Sequence, residues 1–219
     1  MKKSILILAG PSAVGKTTVM DRIIGSDGRF TLIRSATTRA PRGDVHDGEY
    51  IYLSRDEFIS RINRGEMLEY MEYAGNLYGT PASEIEEVFS QGKIPLLILD
   101  LVGVRNIRER KTDYRVVSVY IYSSLSTIKD RLYKRCENEG HSENALLAYQ
   151  KRAEQNIKDY VSLPDYFYLF DAFVENVEVD ATAQEVISLF FSEETADRSL
   201  QSKNISDALS DEAKRILTE

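Results

Sequence analysis

The stretch Gly10-Pro11-Ser12-Ala13-Val14-Gly15-Lys16-Thr17 constrains this chain most, because it fixes both a fold element and a ligand chemistry. It fits G-x-x-x-x-G-K-[ST] without a gap. Glycines let backbone N–H groups wrap an anion, and the following helix N-terminus adds its positive end. Short motifs also arise by chance, so the flanks decide. Ser4–Ala9 (SILILA) is a continuous apolar run, the form of a strand buried on both faces, and Thr17–Ile24 has helical character. Strand, glycine loop and helix open a βαβ unit, which predicts an α/β fold with a mainly parallel sheet. In that setting the loop is a nucleoside-triphosphate site. Lys16 reaches the β- and γ-phosphates and the Thr17 hydroxyl ligates Mg²⁺.

Composition narrows the partners. Among 219 residues, 28 Lys+Arg face 35 Asp+Glu for a net charge of −7, a poor match to nucleic acid or a membrane surface. Any phosphate site is therefore local. The single cysteine, Cys136, excludes an intrachain disulfide and a multi-cysteine zinc centre, and two histidines, His46 and His141, exclude a His-rich one. Met1-Lys2-Lys3 before an apolar run resembles a secretory start, but the run is only about six residues and leads into the phosphate loop. No stretch approaches the roughly 20 apolar residues of a membrane span. A reduced, cytoplasmic protein is expected.

Along the rest of the chain, Thr31–Ser35 reads as a strand, Ala36–Gly48 as an Arg-, Gly- and Asp-rich loop, and Tyr50–Leu53 as a strand. Ser54-Arg55-Asp56-Glu57 is a capping box for a helix to about Asn63, with Gly65 at C′. Met67–Tyr73 and Asn76–Tyr78 form a hairpin around Ala74-Gly75, and Pro81 opens a helix ending before Gly92. Ile94–Leu99 and Val116–Ile121 are apolar strands. Leu125–Glu137 and Glu143–Lys158 are charged amphipathic helices, Tyr166–Phe170 a last strand and Ala181–Phe191 a closing helix. Tyr120, Tyr122, Tyr166 and Tyr168 alternate with aliphatics and read as packing. Residues 192–219 carry seven acids and four bases with a weak apolar pattern at Ile205, Leu209, Ile216 and Leu217. They read as a polar extension, a flexible stretch followed by a short docking helix.

A phosphate loop identifies a donor, not an acceptor. Ser35-Ala36-Thr37-Thr38-Arg39-Ala40-Pro41-Arg42 sets two arginines beside hydroxyls, which suits a forked clamp on a phosphate. Downstream, Glu69, Asn76-Leu77-Tyr78-Gly79-Thr80 and Asp100 add carboxylates, a hydroxyl and a tyrosine. Here the chain resembles the guanylate kinase family: Ser35–Asp44 matches its SxTTRxPRxGE-type stretch, Ser54–Phe58 its capped helix and Gly75–Thr80 its GNxYGT segment. The likeness runs from about Ser4 to Phe191. It implies a P-loop NTPase-type three-layer α/β sandwich with a five-stranded sheet. The core would be 1–35 and 91–191, with a GMP-binding α+β insertion at 36–90 and a helical lid at about 124–156. It implies ATP on Ser12, Ala13, Val14, Gly15, Lys16, Thr17 and Thr18. Ser35, Arg39, Arg42, Tyr50 and Tyr78 would hold the GMP phosphate, while Glu69, Thr80 and Asp100 read guanine. Lys16, Arg39, Arg131 and Arg135 would stabilise the transferring phosphoryl group, and Mg²⁺ would enter with ATP. The implied partners are ATP and GMP alone, on a monomer or homodimer. A carboxylate at Glu69 accepts from guanine N1–H and the 2-amino group together, a donor pair adenine lacks; such a site discriminates by roughly 10⁴–10⁵.

Four positions depart from the family pattern. Ile98 replaces the first aspartate of D-x-D, the expected outer-shell partner of the Mg²⁺ water, and Val102 replaces a glutamine. Leu147 stands where a further lid arginine is expected, with Lys151 and Arg152 a turn away. Phe170, followed by Asp171, aligns with the asparagine near adenine after the last strand, and reads as core. These losses motivate two alternatives: a non-catalytic module binding GMP or a phosphopeptide, or a kinase with another acceptor such as dGMP or a phosphosugar. The intact Lys16 and Thr17 argue against the first, and a phosphosugar leaves Glu69 and Asp100 without a base to read. Outer-shell partners are worth about 10–100-fold in metal affinity or activity. Ile98→Asp is therefore expected to lower the half-saturating Mg²⁺ concentration. Mg²⁺ titration of activity checks it, and unchanged metal dependence in a folded variant would remove position 98 from the ion's shell.

Overall fold

The computed structural model describes residues 3–41, 48, 50–73, 75–110, 113–138, 140–192 and 199–218. A five-stranded sheet has the order β2 (Phe30–Leu32), β7 (Ile94–Ile98), β1 (Ser4–Ala9), β8 (Arg115–Tyr122), β9 (Ala172–Glu175). The β2/β7 and β8/β9 pairs are parallel. Ile5 to Ala9 of β1 are fully buried, as a strand covered on both faces requires. The chain divides into two compact units, Met1–Ile7 with Ile24–Val117, and Leu8–Ile23 with Ser118–Glu219.

The first unit contains a four-stranded sheet in the order β4 (Tyr50–Tyr52), β3 (Ser35–Thr37), β6 (Asn76–Pro81), β5 (Met67–Tyr73). One face packs Ala36, Met67 and Leu77 against Phe58 of α2 (Arg55–Asn63), with Ile51, Leu53 and Ile62 around them. The Ser54 hydroxyl accepts the Glu57 N–H, as the capping box predicts. Three expectations shift here. Thr31–Ser35 is not one strand: it divides between β2 and β3, which belong to different sheets. Pro81 ends β6 and stands before α3 (Ala82–Ser90), because Met67 pairs with it across the hairpin. The Asp100 carboxylate caps an unexpected helix, α4 (Leu101–Glu109), accepting the Gly103 N–H at 2.7 Å.

In the second unit α1 (Lys16–Ser26) buries Val19, Met20 and Ile23. It is joined by the expected α5 (Leu125–Asn138), α6 (Glu143–Ser162) and α7 (Val179–Phe191). Tyr166–Phe170 is not a strand. Pro164 lies in the first of two 3₁₀ turns, Leu163–Asp165 and Phe167–Leu169, and the strand is β9, six residues later in the chain. Tyr168 is 63% exposed, whereas Tyr120 is buried edge-on to Phe170 at 5.0 Å. Phe170 is core, as expected.

The described part of the extension forms a longer helix than its polarity predicts. Helix α8 (Ser199–Thr218) buries Leu209 and Ala213 with Ser202, Ser206 and Ser210, while Ile216 and Leu217 are exposed. Serines at every fourth position form a narrow face that a hydrophobicity pattern does not register. Ser210 Oγ donates to the Val161 carbonyl at 3.1 Å, and Glu212 Oε1 accepts the Leu125 N–H at 3.0 Å. Glu212 thus caps α5 from outside, its charge at the helix's positive end. Glu212→Ala orphans that N–H, so a loss of about 1–2 kcal/mol is expected. Thermal unfolding reads it, and an unchanged melting temperature would show that the cap contributes nothing.

Candidate active site

The phosphate-loop motif is built in the second unit. Three glycine-like conformations shape the loop: Gly10 at φ 146°, Ala13 at 63° and Gly15 at 104°. A Cβ at Gly10 would meet the Ile121 carbonyl at 2.1 Å, and one at Gly15 would meet Asn176 Nδ2 at 2.4 Å, so both positions also need glycine for space. Side chains from distant sequence clamp the backbone. Asn156 takes the Ser12 N–H on Oδ1 at 2.8 Å and donates Nδ2 to the Ser12 carbonyl at 3.0 Å. The Val14 carbonyl accepts Asn176 Nδ2 at 2.8 Å and Arg131 Nη1 at 2.7 Å, and Arg131 Nη2 donates to the Asn176 carbonyl at 3.2 Å. Lys16 Nζ donates to the Gly10 and Pro11 carbonyls at 2.8 and 2.9 Å, bridging the start of its own loop. Thr17 is half-buried on the first turn of α1, and Thr18 is exposed.

Two residues that sequence reasoning missed therefore hold the loop. Asn176 directly follows β9, the last strand, so an asparagine does stand there; Phe170 does not take that place, because it precedes β9 and is buried in the core. Asn156 carried no local signal, being one polar residue on a charged helix. Arg131 lies against the loop, bonded to its Val14 carbonyl. Arg135 is exposed one turn further along α5, and Leu147 is 48% exposed on α6.

The residues that the resemblance assigns to the acceptor lie in the first unit. Ser35 pairs with Tyr50, Thr37 with Tyr52 and Tyr78, and Glu69 with Thr80. Strand alternation then puts Ser35, Tyr50, Tyr78, Thr80 and Glu69 on one face, opposite the apolar cluster. Arg39 follows β3 with its guanidinium 5.2 Å from the Tyr50 ring centre and 5.7 Å from that of Tyr52, and donates to the Tyr52 hydroxyl at 3.3 Å. Tyr52 was read only as part of a strand. Arg42, Asp44, His46 and Ala74 lie outside the described residues.

Glu69 is 5% exposed and accepts the Thr80 hydroxyl at 2.8 Å. Burial, with the Asp100 charge adding to it and the Thr80 hydrogen bond opposing, pushes its carboxyl up to about 7. A methyl group at Gly103 would lie 3.4 Å from Asp100 Oδ1 and 3.5 Å from Glu69 Oε2, so the two carboxylates flank that glycine. Asp100 spends one oxygen on capping α4, and Ile98 is half-buried where β7 ends. The described residues hold no group of three or more His, Cys, Asp or Glu able to bind an ion. None of their helices is long and apolar enough to cross a membrane.

A glycine loop between a buried central strand and a helix, clamped from three distant positions, defines a P-loop nucleotide-binding protein of the α/β class. The guanylate kinase family profile matches residues 2–193. The chain is 33% identical to the guanylate kinase of Rubrobacter xylanophilus over 187 residues, covering 84% of this chain and 92% of that one. It is 35% identical to that of Prochlorococcus marinus over 190 residues, covering 86% and 97%. A crystal structure of guanylate kinase from Anaplasma phagocytophilum shares the fold, with a TM-score of 0.62 at 22% identity over 87% of this chain and 88% of that one. The chain belongs to the guanylate kinase family. Helix α8 lies beyond the matched region.

Proposed function

We propose that this protein is a guanylate kinase in activity as well as family, transferring the γ-phosphoryl group of ATP to GMP, and to dGMP by the same chemistry. The observation that carries the reading is the buried Glu69–Thr80 pair on the same sheet face as Ser35, Tyr50 and Tyr78, in a chain with an intact phosphate loop. An acceptor carboxylate kept out of water has its full discriminating effect on a base that offers two N–H donors. GMP would set its phosphate against Ser35, Arg39, Arg42, Tyr50 and Tyr78, and its base against Glu69, Thr80 and Asp100.

ATP would occupy Ser12 to Thr18, with Lys16 leaving its loop carbonyls for the β- and γ-phosphates. The donor chemistry fits Mg²⁺ arriving with the nucleotide: Thr17 offers one hard oxygen, and Mg²⁺ ordinarily keeps phosphate oxygens and waters for its other positions. The ion would supply charge neutralisation. The acceptor phosphate is already anionic, so no general base is needed. Positioning and charge neutralisation by Lys16, Arg39, Arg131 and Arg135 then carry the reaction. Arg131 and Arg135 are four residues apart on α5 and share a helix face. In this reading 36–90 is the GMP-binding insertion and about 124–156 the lid, whose closure would exclude water from the transfer.

The deciding experiment measures ADP release from ATP-Mg²⁺ with GMP, dGMP, AMP, UMP or no acceptor. Turnover is expected with GMP and dGMP only. Equal turnover with AMP, or none with any nucleotide, overturns the reading.

A further inference from the structure

We infer that Arg110 is a positioning residue for base recognition, fixing the β-bulge at Leu68 that turns Glu69 onto the face it shares with Thr80 and Tyr78. In a regular strand residues 67 and 69 point the same way. Here they do not. Met67 pairs with Pro81 and packs into the apolar cluster with Ala36, Phe58 and Leu77, whereas Glu69 pairs with Thr80 on the opposite face. The register advances two residues on β5 for one on β6, so Leu68 is the extra residue. One inserted residue reverses the facing of all that follows, and without it Glu69 would be directed into the apolar cluster.

A bulge removes its extra residue from the ladder and leaves carbonyls to be satisfied elsewhere. Arg110, at the end of α4, supplies both bonds from one nitrogen: Nη1 donates to the Met67 carbonyl at 2.6 Å and to the Leu68 carbonyl at 2.7 Å. These are the two carbonyls immediately before Glu69. Asn106 Nδ2, one turn earlier on α4, reaches the Tyr70 carbonyl just after it at 3.4 Å. The same helix is capped by Asp100 and brings Gly103 against Glu69. The helix that closes over the carboxylate therefore also sets the backbone on either side of it. The inference rests on the reading of Glu69 as the guanine acceptor.

The test uses the full-length chain with Arg110→Met, which keeps an apolar stem without donors, and Arg110→Lys, whose ammonium can donate to both carbonyls. Small displacements of a recognition group cost of the order of 10–100-fold. Arg110→Met is expected to raise KM for GMP about tenfold or more and to leave KM for ATP within about twofold, with Arg110→Lys restoring most of the GMP affinity. The ratio of kcat/KM for GMP over AMP is expected to fall in parallel, which a purely structural role would not move. A folded Arg110→Met with unchanged KM for GMP, or with both KM values raised equally, overturns the proposal. If Arg110→Met does not fold, Arg110→Leu, which likewise removes every donor, carries the same expectation. Glu69→Gln is measured alongside: should it leave KM for GMP unchanged, the guanine reading itself fails and takes this role with it, whatever Arg110 does.

Discussion

Lys16→Met is expected to cut turnover by at least roughly 10²–10³-fold, the scale seen when one preorganised charge donor to a transition state is removed, while GMP affinity stays nearly unchanged. The structure makes this a clean substitution. Lys16 donates to the Gly10 and Pro11 carbonyls, but the loop backbone does not depend on it. Asn156 holds Ser12 by both its N–H and its carbonyl, and Asn176 and Arg131 hold Val14. A methionine of similar reach preserves the stem's packing and removes only the charge. Steady-state ADP release gives the turnover, and calorimetric titration gives GMP affinity. An equal loss of GMP affinity would mean that the donor and acceptor residues have been confused.

The phosphate loop was legible because its information is contiguous: eight residues, with the strand before and the helix after, define one local unit. The common sheet face of the residues proposed for the acceptor was legible for a related reason. Ser35, Tyr50, Tyr78, Thr80 and Glu69 fall in short stretches whose order matches a family pattern, and pairing then gathers them on one sheet face. What escaped were contacts between residues far apart in sequence. Asn156 and Asn176 reach the loop across 144 and 162 residues, and Arg110 reaches β5 across 43. Nothing local marks an asparagine as a clamp. The last strand was misplaced because Tyr166–Phe170 alternates like a strand, while Ala172–Glu175 is apolar for only three residues. That one error also created a false departure at Phe170. The bulge at Leu68 is invisible to periodicity, since Met67-Leu68-Glu69 shows no break; only the partner strand reveals it. Helix α8 was underestimated because its buried face is largely serine, and burial of hydroxyls depends on what they pack against rather than on hydropathy.

Glu69→Gln is expected to have opposite effects on binding and stability. For GMP, a charge-assisted hydrogen-bond pair is lost, which weakens affinity by about 2–4 kcal/mol while ATP affinity is spared. For folding the sign reverses. Folding raises the Glu69 carboxyl from 4.5 to about 7, so the native chain holds the proton more tightly than the unfolded one. The stabilisation tied to that proton is complete below pH 4.5 and is lost as pH climbs through 7, a contribution of about 3 kcal/mol. The amide cannot ionise and takes no part in this loss. Without nucleotide, the variant is therefore expected to gain on the wild type as pH is raised from 5 to 8, and chemical denaturation at the two pH values measures the gain. GMP enters the same linkage, because its N–H donors favour the ionised carboxylate. Wild-type affinity is expected to be about tenfold weaker at pH 6 than at pH 8 from this group alone, given a carboxyl near 7. The nucleotide's own phosphate titrates in that range, so the diagnostic quantity is the difference between the wild-type and Glu69→Gln profiles. If the two profiles run parallel, or if GMP affinity in the variant stays within about twofold of wild type, Glu69 does not read the base. If both effects appear, the site holds its carboxylate at a cost to the unliganded fold, and guanine supplies the hydrogen bonds that offset it.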